Sequence, residues 1–182
     1  MAEMDIVYFD LETQRTANDV GGWDKKHEMG MSVGVTYSSK DQRYDIFTED
    51  KADALVDRLR RADLVVGYNV LRFDYDVLMA YTILDLRENL RTLDLMADIE
   101  EISGQRPKLE SVGQGTLGVG KTAEGLDAIR WWREGRLMEI ARYCCFDVKV
   151  TKLVHEYGAA NKEVLFTDRF GRPQRVAVDW NA

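Results

Sequence analysis

Apolar and polar positions along this chain divide into short runs with a period of two and longer stretches with helical spacing. Met4 to Leu11 (MDIVYFDL) is a short apolar run rich in β-formers and is expected to be a buried strand. Residues 13–29 are polar and contain glycine, the composition of a loop. Met31 to Tyr37 and Arg43 to Phe47 read as two strands of a hairpin turning through Ser38 to Gln42. Lys51 to Arg61 places Leu55, Val56 and Leu59 on one face, as an amphipathic helix does. Leu64 to Gly67 is a brief strand that runs into Tyr68 and Asn69. Asp74 to Thr82 follows as a helix with Val77, Leu78 and Tyr81 at core spacing, and Thr92 to Leu95 as a short strand. Residues 103–125 hold Gly104, Gly113, Gly115, Gly118, Gly120 and Gly125 and are expected to be loop. Gly135 to Gly158 reads as a long helix. Glu163 to Thr167 and Arg175 to Trp180 read as the strands of a short terminal β-hairpin.

Strands that come first as a hairpin, then alternate with helices, predict an α/β fold whose mixed central sheet is flanked by helices. With 182 residues, no internal repeat and no linker-like stretch, residues 1–182 are expected to form one domain. There is no run of about 18 apolar residues and no basic-then-apolar start, so a cytoplasmic location is expected, with no membrane partner. The two cysteines, Cys144 and Cys145, are adjacent within the long helix, which favours reduced, half-buried thiols.

The net charge of −7 runs against the basic footprint usual for nucleic-acid binders. Bound cations would offset clustered carboxylates, however, and a local basic rim would be enough to grip a strand. Three rims present themselves: Arg15 with Lys25, Lys26 and His27; Arg106 with Lys108; and Arg130, Arg133 and Arg136. Charge alone does not choose among them.

The chemistry-bearing residues fall in three separated segments. Asp10 and Glu12 stand at i and i+2 at the end of the first strand, so they project to the same face as Ile6 and Tyr8, while Val7, Phe9 and Leu11 line the other. Two carboxylates aimed together repel unless a cation sits between them. Asn69 ends a later strand, and Phe73-Asp74 opens the helix that follows; an Asp there suits a helix N-terminus, and Asn69 and Phe73 are expected to frame it. Tyr143 and Asp147 lie at i and i+4, one turn apart on the late helix, beside a stripe of Leu137, Ile140, Cys144 and Val148 that would pack on the sheet. Each segment alone has an ordinary structural reading as strand end, helix cap or helix surface. Together they fit one metal site.

These three segments resemble the three motifs of the DnaQ-like, or DEDD, 3′–5′ exonucleases, which have the ribonuclease H-like fold. The Tyr143-to-Asp147 spacing resembles the tyrosine (DEDDy) subgroup. GYNVLRFDYDVL is similar to the middle motif of the proofreading domain of B-family DNA polymerases. DLETQ, and the segment from LGVGK through IRWWREGR to RYCCFD, look like the YprB-like domains. The resemblance implies that Asp10, Glu12, Asp74 and Asp147 hold two divalent cations, Mg²⁺ or Mn²⁺, and that Tyr143 orients an attacking water. It implies substrate-contacting roles for Leu11, Thr13, Asn69 and Phe73, and a supporting role for Asp94. The expected substrate is the 3′ end of single-stranded DNA or RNA, with DNA ahead of RNA on the likeness to the proofreading domain. A helicase or polymerase acting in trans is a further partner to consider. Thr13 is followed here by Gln14 and Arg15, where many family members carry Thr-Thr or Thr-Gly, so substrate preference does not carry over directly.

Two readings compete with this one. A non-catalytic nucleic-acid-binding module of the same fold would have no need to keep the carboxylates clustered. A nucleotide-binding P-loop is suggested by Gly115 to Thr122, which satisfies G-x-x-x-x-G-K-[ST] in full. That motif needs a buried strand before it and a helix opening at Lys121, but residues 106–112 are too polar for such a strand and Gly125 follows close behind. Trp131 and Trp132, flanked by Arg130 and Arg133, offer either stacking surface or core packing.

Overall fold

The computed structural model describes residues 4–120 and 123–181. Five strands form one mixed sheet in the order β3-β2-β1-β4-β5. They are β1 (Ile6–Thr13), β2 (Met31–Ser38), β3 (Arg43–Thr48), β4 (Leu64–Gly67) and β5 (Thr92–Asp94). β1 pairs antiparallel with β2, and β2 with β3; on the other side β1 pairs parallel with β4, and β4 with β5. The first strand therefore sits at the centre with both neighbours formed, and its period-two pattern is split cleanly between two cores. Val7, Phe9 and Leu11 pack with Leu55, Leu59, Tyr75 and Leu78 on one face, whereas Tyr8 packs with Ile140, Cys144 and Val148 on the other.

The first of these faces is covered by α2 (Ala52–Arg60) and α3 (Asp74–Leu78). The second carries α8 (Leu137–Asn161), a helix of 25 residues that runs across β1 and β2. α6 (Leu109–Leu117) and α7 (Gly125–Arg133) pack on α8, and α5 (Leu95–Ser103) adds Leu95 and Ile99 to the core on the same side. Two single-turn helices, α1 (Ala17–Val20) and α4 (Leu86–Asn89), complete the helical set, and β6 (Glu163–Thr167) with β7 (Pro173–Ala177) forms a separate antiparallel hairpin. After β7 the chain continues to Trp180, whose ring is 1% exposed and whose Nε1 donates to Asp98 Oδ2 at 2.6 Å.

Several sequence expectations are corrected. The first strand begins at Ile6 and extends to Thr13, which brings Glu12 inside the sheet opposite Val33. Residues 13–29 contain α1, held by a reciprocal Thr16–Asp19 capping box, and a 3-10 segment over Trp23–Glu28. The helix from Asp74 ends at Leu78, and the last strand is Pro173–Ala177. Leu137, expected against the sheet, is exposed at the first turn of α8.

The largest correction concerns residues 103–125, which form α6 and the start of α7 in addition to a loop. The glycines that argue for loop here serve packing. A Cβ on Gly115 would lie 2.5 Å from the carbonyl oxygen of Leu165 and 2.8 Å from Phe166 Cα, so only glycine lets α6 approach β6 this closely. Gly118 ends α6 in the left-handed conformation, with φ 68°. Gly115 to Leu117 are thus helical where a P-loop would require an open phosphate cradle; Lys121 and Thr122 lie outside the described residues.

Candidate active site

The carboxyl ends of the parallel strands β1, β4 and β5 point to one edge of the sheet, the edge where open α/β sheets place their ligand sites. Asp10 and Glu12 stand at the end of β1, opposite Val35 and Val33 of β2, and project to the side covered by α8. One turn of α8 brings Tyr143 and Asp147 over them, with the Tyr143 hydroxyl donating to the Asp147 carboxylate. From β4 the chain turns through Asn69, at φ 62°, into α3 and delivers Asp74 from the side. All five residues line a single cleft of about 770 Å³.

Asp74 is not framed at the surface as the sequence suggests; it is 2% exposed. Its Oδ1 accepts from the Leu11 amide at 3.0 Å, which ties the start of α3 to the carboxyl end of β1. Leu11 contributes through that amide while its side chain is buried in the core. Thr13 is buried at the cleft wall and donates to the Arg15 carbonyl at 3.0 Å. Asn69 lines the cleft, and Arg106 donates to its side-chain oxygen at 3.2 Å. The unusual backbone of Asn69 is held by Asp94, whose carboxylate accepts from the Asn69 and Leu71 amides and also caps α5. Phe73 is half-buried and meets Trp23 edge-on, with ring centroids 6.4 Å apart.

Burial pushes the carboxyl groups of Asp10, Glu12 and Asp74 well above their ordinary range. For Asp10 the charges of Asp74, Glu12 and Asp147 add to the effect, and for Glu12 those of Asp147 and Asp74. Burial also pushes Asp147 up to about 7, against the stabilising hydrogen bond from Tyr143. Among the described residues no lysine or arginine forms an ion pair with any of the four. Such a cluster is at odds with itself until a cation enters, and its donors are hard oxygens of the kind that suit Mg²⁺ or Mn²⁺.

Two residues of the site escaped the sequence argument. Cys144 is fully buried, and its Sγ lies 3.3 Å from Asp10 Oδ2 and 3.4 Å from the Asp10 carbonyl oxygen. Burial and the neighbouring carboxylates push its thiol well up, so it stays protonated and donates to Asp10. Its position one residue after Tyr143, on the sheet-facing stripe of α8, was the available signal. Trp23 is 66% exposed on the cleft wall, an apolar surface that a polar "loop" composition concealed. Trp131 and Trp132 are both half-buried and packed against the core, and Trp131 meets the Tyr143 ring edge-on at 6.3 Å.

Residues 7–159 match the family model of the RNase_H superfamily. The chain belongs to that superfamily. Among solved structures this RNase_H-superfamily chain is similar to the family B DNA polymerase from the hyperthermophilic archaeon Pyrobaculum calidifontis, with a TM-score of 0.66 and 17% sequence identity. The likeness covers 86% of this chain but 25% of the polymerase chain, so it spans about a quarter of that protein's length and is a likeness of fold. No significant match is found among curated proteins. The mixed five-stranded sheet flanked by helices is the fold of this superfamily, which supports nuclease activity in general terms. Among the described residues no helix is long and apolar enough to cross a membrane.

Proposed function

We propose that the chain is a metal-dependent 3′–5′ exonuclease that removes nucleotides from single-stranded nucleic-acid ends, DNA ahead of RNA. The observation that carries this reading is the convergence of Asp10, Glu12, Asp74, Asp147 and the Tyr143 hydroxyl on one cleft. The four carboxylates would hold two divalent cations, which when bound supply a water of lowered pKa and neutralise charge at the entering and leaving oxygens.

The chain's own groups do the rest. Burial pushes the Tyr143 phenol upward, so it stays protonated at neutral pH and acts through its hydroxyl as a positioning group for the attacking water. Asp94 and the Leu11 amide hold the Asn69 turn and Asp74 in place, so the site is organised before substrate arrives. Trp23 and Phe73 offer a wall against which the terminal base stacks. Attack of the water oxygen on the last phosphorus breaks its bond to the 3′-oxygen of the preceding nucleotide. That oxygen takes up a proton, and a nucleoside 5′-monophosphate leaves.

Polarity is tested with a 5′-labelled single-stranded oligonucleotide and Mn²⁺, with its 3′ end either free or blocked by an inverted nucleotide. The free end is expected to give a ladder shortening from the 3′ side, and the blocked end none. Equal digestion of both substrates contradicts the 3′–5′ assignment.

A further inference from the structure

Beyond the catalytic cleft, we propose that the groove between the loop leading into α6 and the turn of the β6–β7 hairpin is a binding track for the upstream part of a single-stranded nucleic acid. The inference rests on the exonuclease reading for its direction: the 3′ end lies in the cleft and the strand leaves across this groove.

The groove encloses about 910 Å³, and Arg106, Lys108, Arg169, Phe170 and Arg172 line it. Lys108 and Glu110 line both this groove and the catalytic cleft, so the two adjoin. Arg106 makes a second link: it is part of the groove, yet its guanidinium donates to Asn69 in the cleft as well as to Glu100. In a chain of net charge −7, this wall gathers four cations against the two carboxylates Glu110 and Asp168. Asp168 is used up inside the turn, where it accepts from the Phe170 and Arg172 amides, from Arg172 Nε and from Gln174. That network holds the turn in one shape and presents the side chains outward.

What it presents has the character of a single-strand binding surface. Phe170 is 65% exposed, and the guanidinium carbons of Arg169 and Arg172 lie 4.7 and 5.0 Å from its ring centroid. An exposed aromatic ring combined with arginine planes matches the way proteins stack unpaired bases and follow their phosphates. Ion pairs within the chain engage cations of the other rims, Lys26 with Asp76, Arg130 with Asp127, Arg133 with Asp19 and Arg136 with Glu134 and Glu139. They also engage cations of this groove, Arg106 with Glu100 and Arg172 with Asp168, so it is the exposed ring beside arginine planes that carries the assignment.

The test is fluorescence anisotropy of labelled 20-mer and 3-mer oligo(dT) in Ca²⁺, with strand integrity checked by gel, for wild type, Phe170→Ala, Arg169→Ala and the double variant. Both side chains are exposed at a turn, and circular dichroism checks the fold. Phe170→Ala is expected to weaken 20-mer binding roughly tenfold, the scale of losing one stacked base. Arg169→Ala is expected to lower the slope of log K against log salt by about 0.7, the release expected for one phosphate contact on a single strand. Binding of the 3-mer, which the cleft accommodates alone, is expected to stay the same. Equal 20-mer affinity and salt slope in wild type and the double variant overturn the track, and digestion of the 20-mer by both proteins in Mn²⁺ would then leave the exonuclease reading standing. Weakened 20-mer binding by the variants in Ca²⁺, with no digestion by wild type when Mn²⁺ replaces Ca²⁺, supports the track and removes the exonuclease reading.

Discussion

Asp10 is pressed by three other carboxylates and held by one thiol, and both conditions have measurable consequences. The Cys144 Sγ–H reaches Asp10 from the buried side of α8, so it fixes the carboxylate without competing for its open face. Groups that orient metal ligands in this way typically contribute 10- to 100-fold to metal affinity or activity. Cys144→Ala is therefore expected to lower Mn²⁺-supported activity roughly tenfold, by initial-rate assay, while the folded state persists. The carboxylates themselves act against stability. The Asp147 carboxyl titrates near 7 in the folded chain and near 4 when unfolded, so its contribution is fully present below about pH 4 and is lost as pH rises through 7. In EDTA the wild-type protein is accordingly expected to melt at lower temperature at pH 8 than at pH 5. Asp147→Asn is expected to flatten that difference and to be about 1–2 kcal/mol more stable at pH 8 by thermal melting, the usual scale of gain when a functional strain is relieved.

At the scale of elements, β1 and α8 were readable from periodicity because each has one dominant pattern. The alternation from Ile6 to Leu11 divides two cores, and Tyr143 and Asp147 at i and i+4 share one helical face. Where burial depends on distant partners, local pattern misled. Residues 109–117 read as loop because of Gly113 and Gly115, yet those glycines let α6 pack closely on its neighbours: a Cβ on Gly113 would lie 2.9 Å from Val150, and one on Gly115 2.5 Å from the Leu165 carbonyl. Nothing in residues 109–117 announces the backbone of β6 about fifty positions later. The same cause hid the burial of Asp74, which follows from the Leu11 amide on a strand 63 positions earlier. It also hid the Cys144–Asp10 contact, formed across 134 positions. Because the obstacle at Gly115 is backbone, Gly115→Ala is expected to cost about 1–3 kcal/mol in urea unfolding, the range for overpacking a tight interior. A neutral result would mean that α6 sits farther from β6 than the structure places it.

At the scale of the whole molecule, the fold explains how three weak sequence signals become one site. A parallel β1–β4–β5 arrangement sends the ends of those strands to one edge, and α8 crosses above that edge with its phenol and carboxylate. The carboxylate separations along the chain are therefore incidental, and the topology supplies the convergence. The most direct measurement is release of labelled nucleoside 5′-monophosphate from a single-stranded DNA labelled in its 3′-terminal nucleotide, by wild type and by Asp10→Asn, in Mn²⁺ and in EDTA. The account predicts monophosphate release by wild type in Mn²⁺, none in EDTA, and a loss of at least a hundredfold in Asp10→Asn, as removal of an essential charge-stabilising group brings. Wild type and Asp10→Asn equally inert on DNA and RNA ends, or equally active, would contradict it.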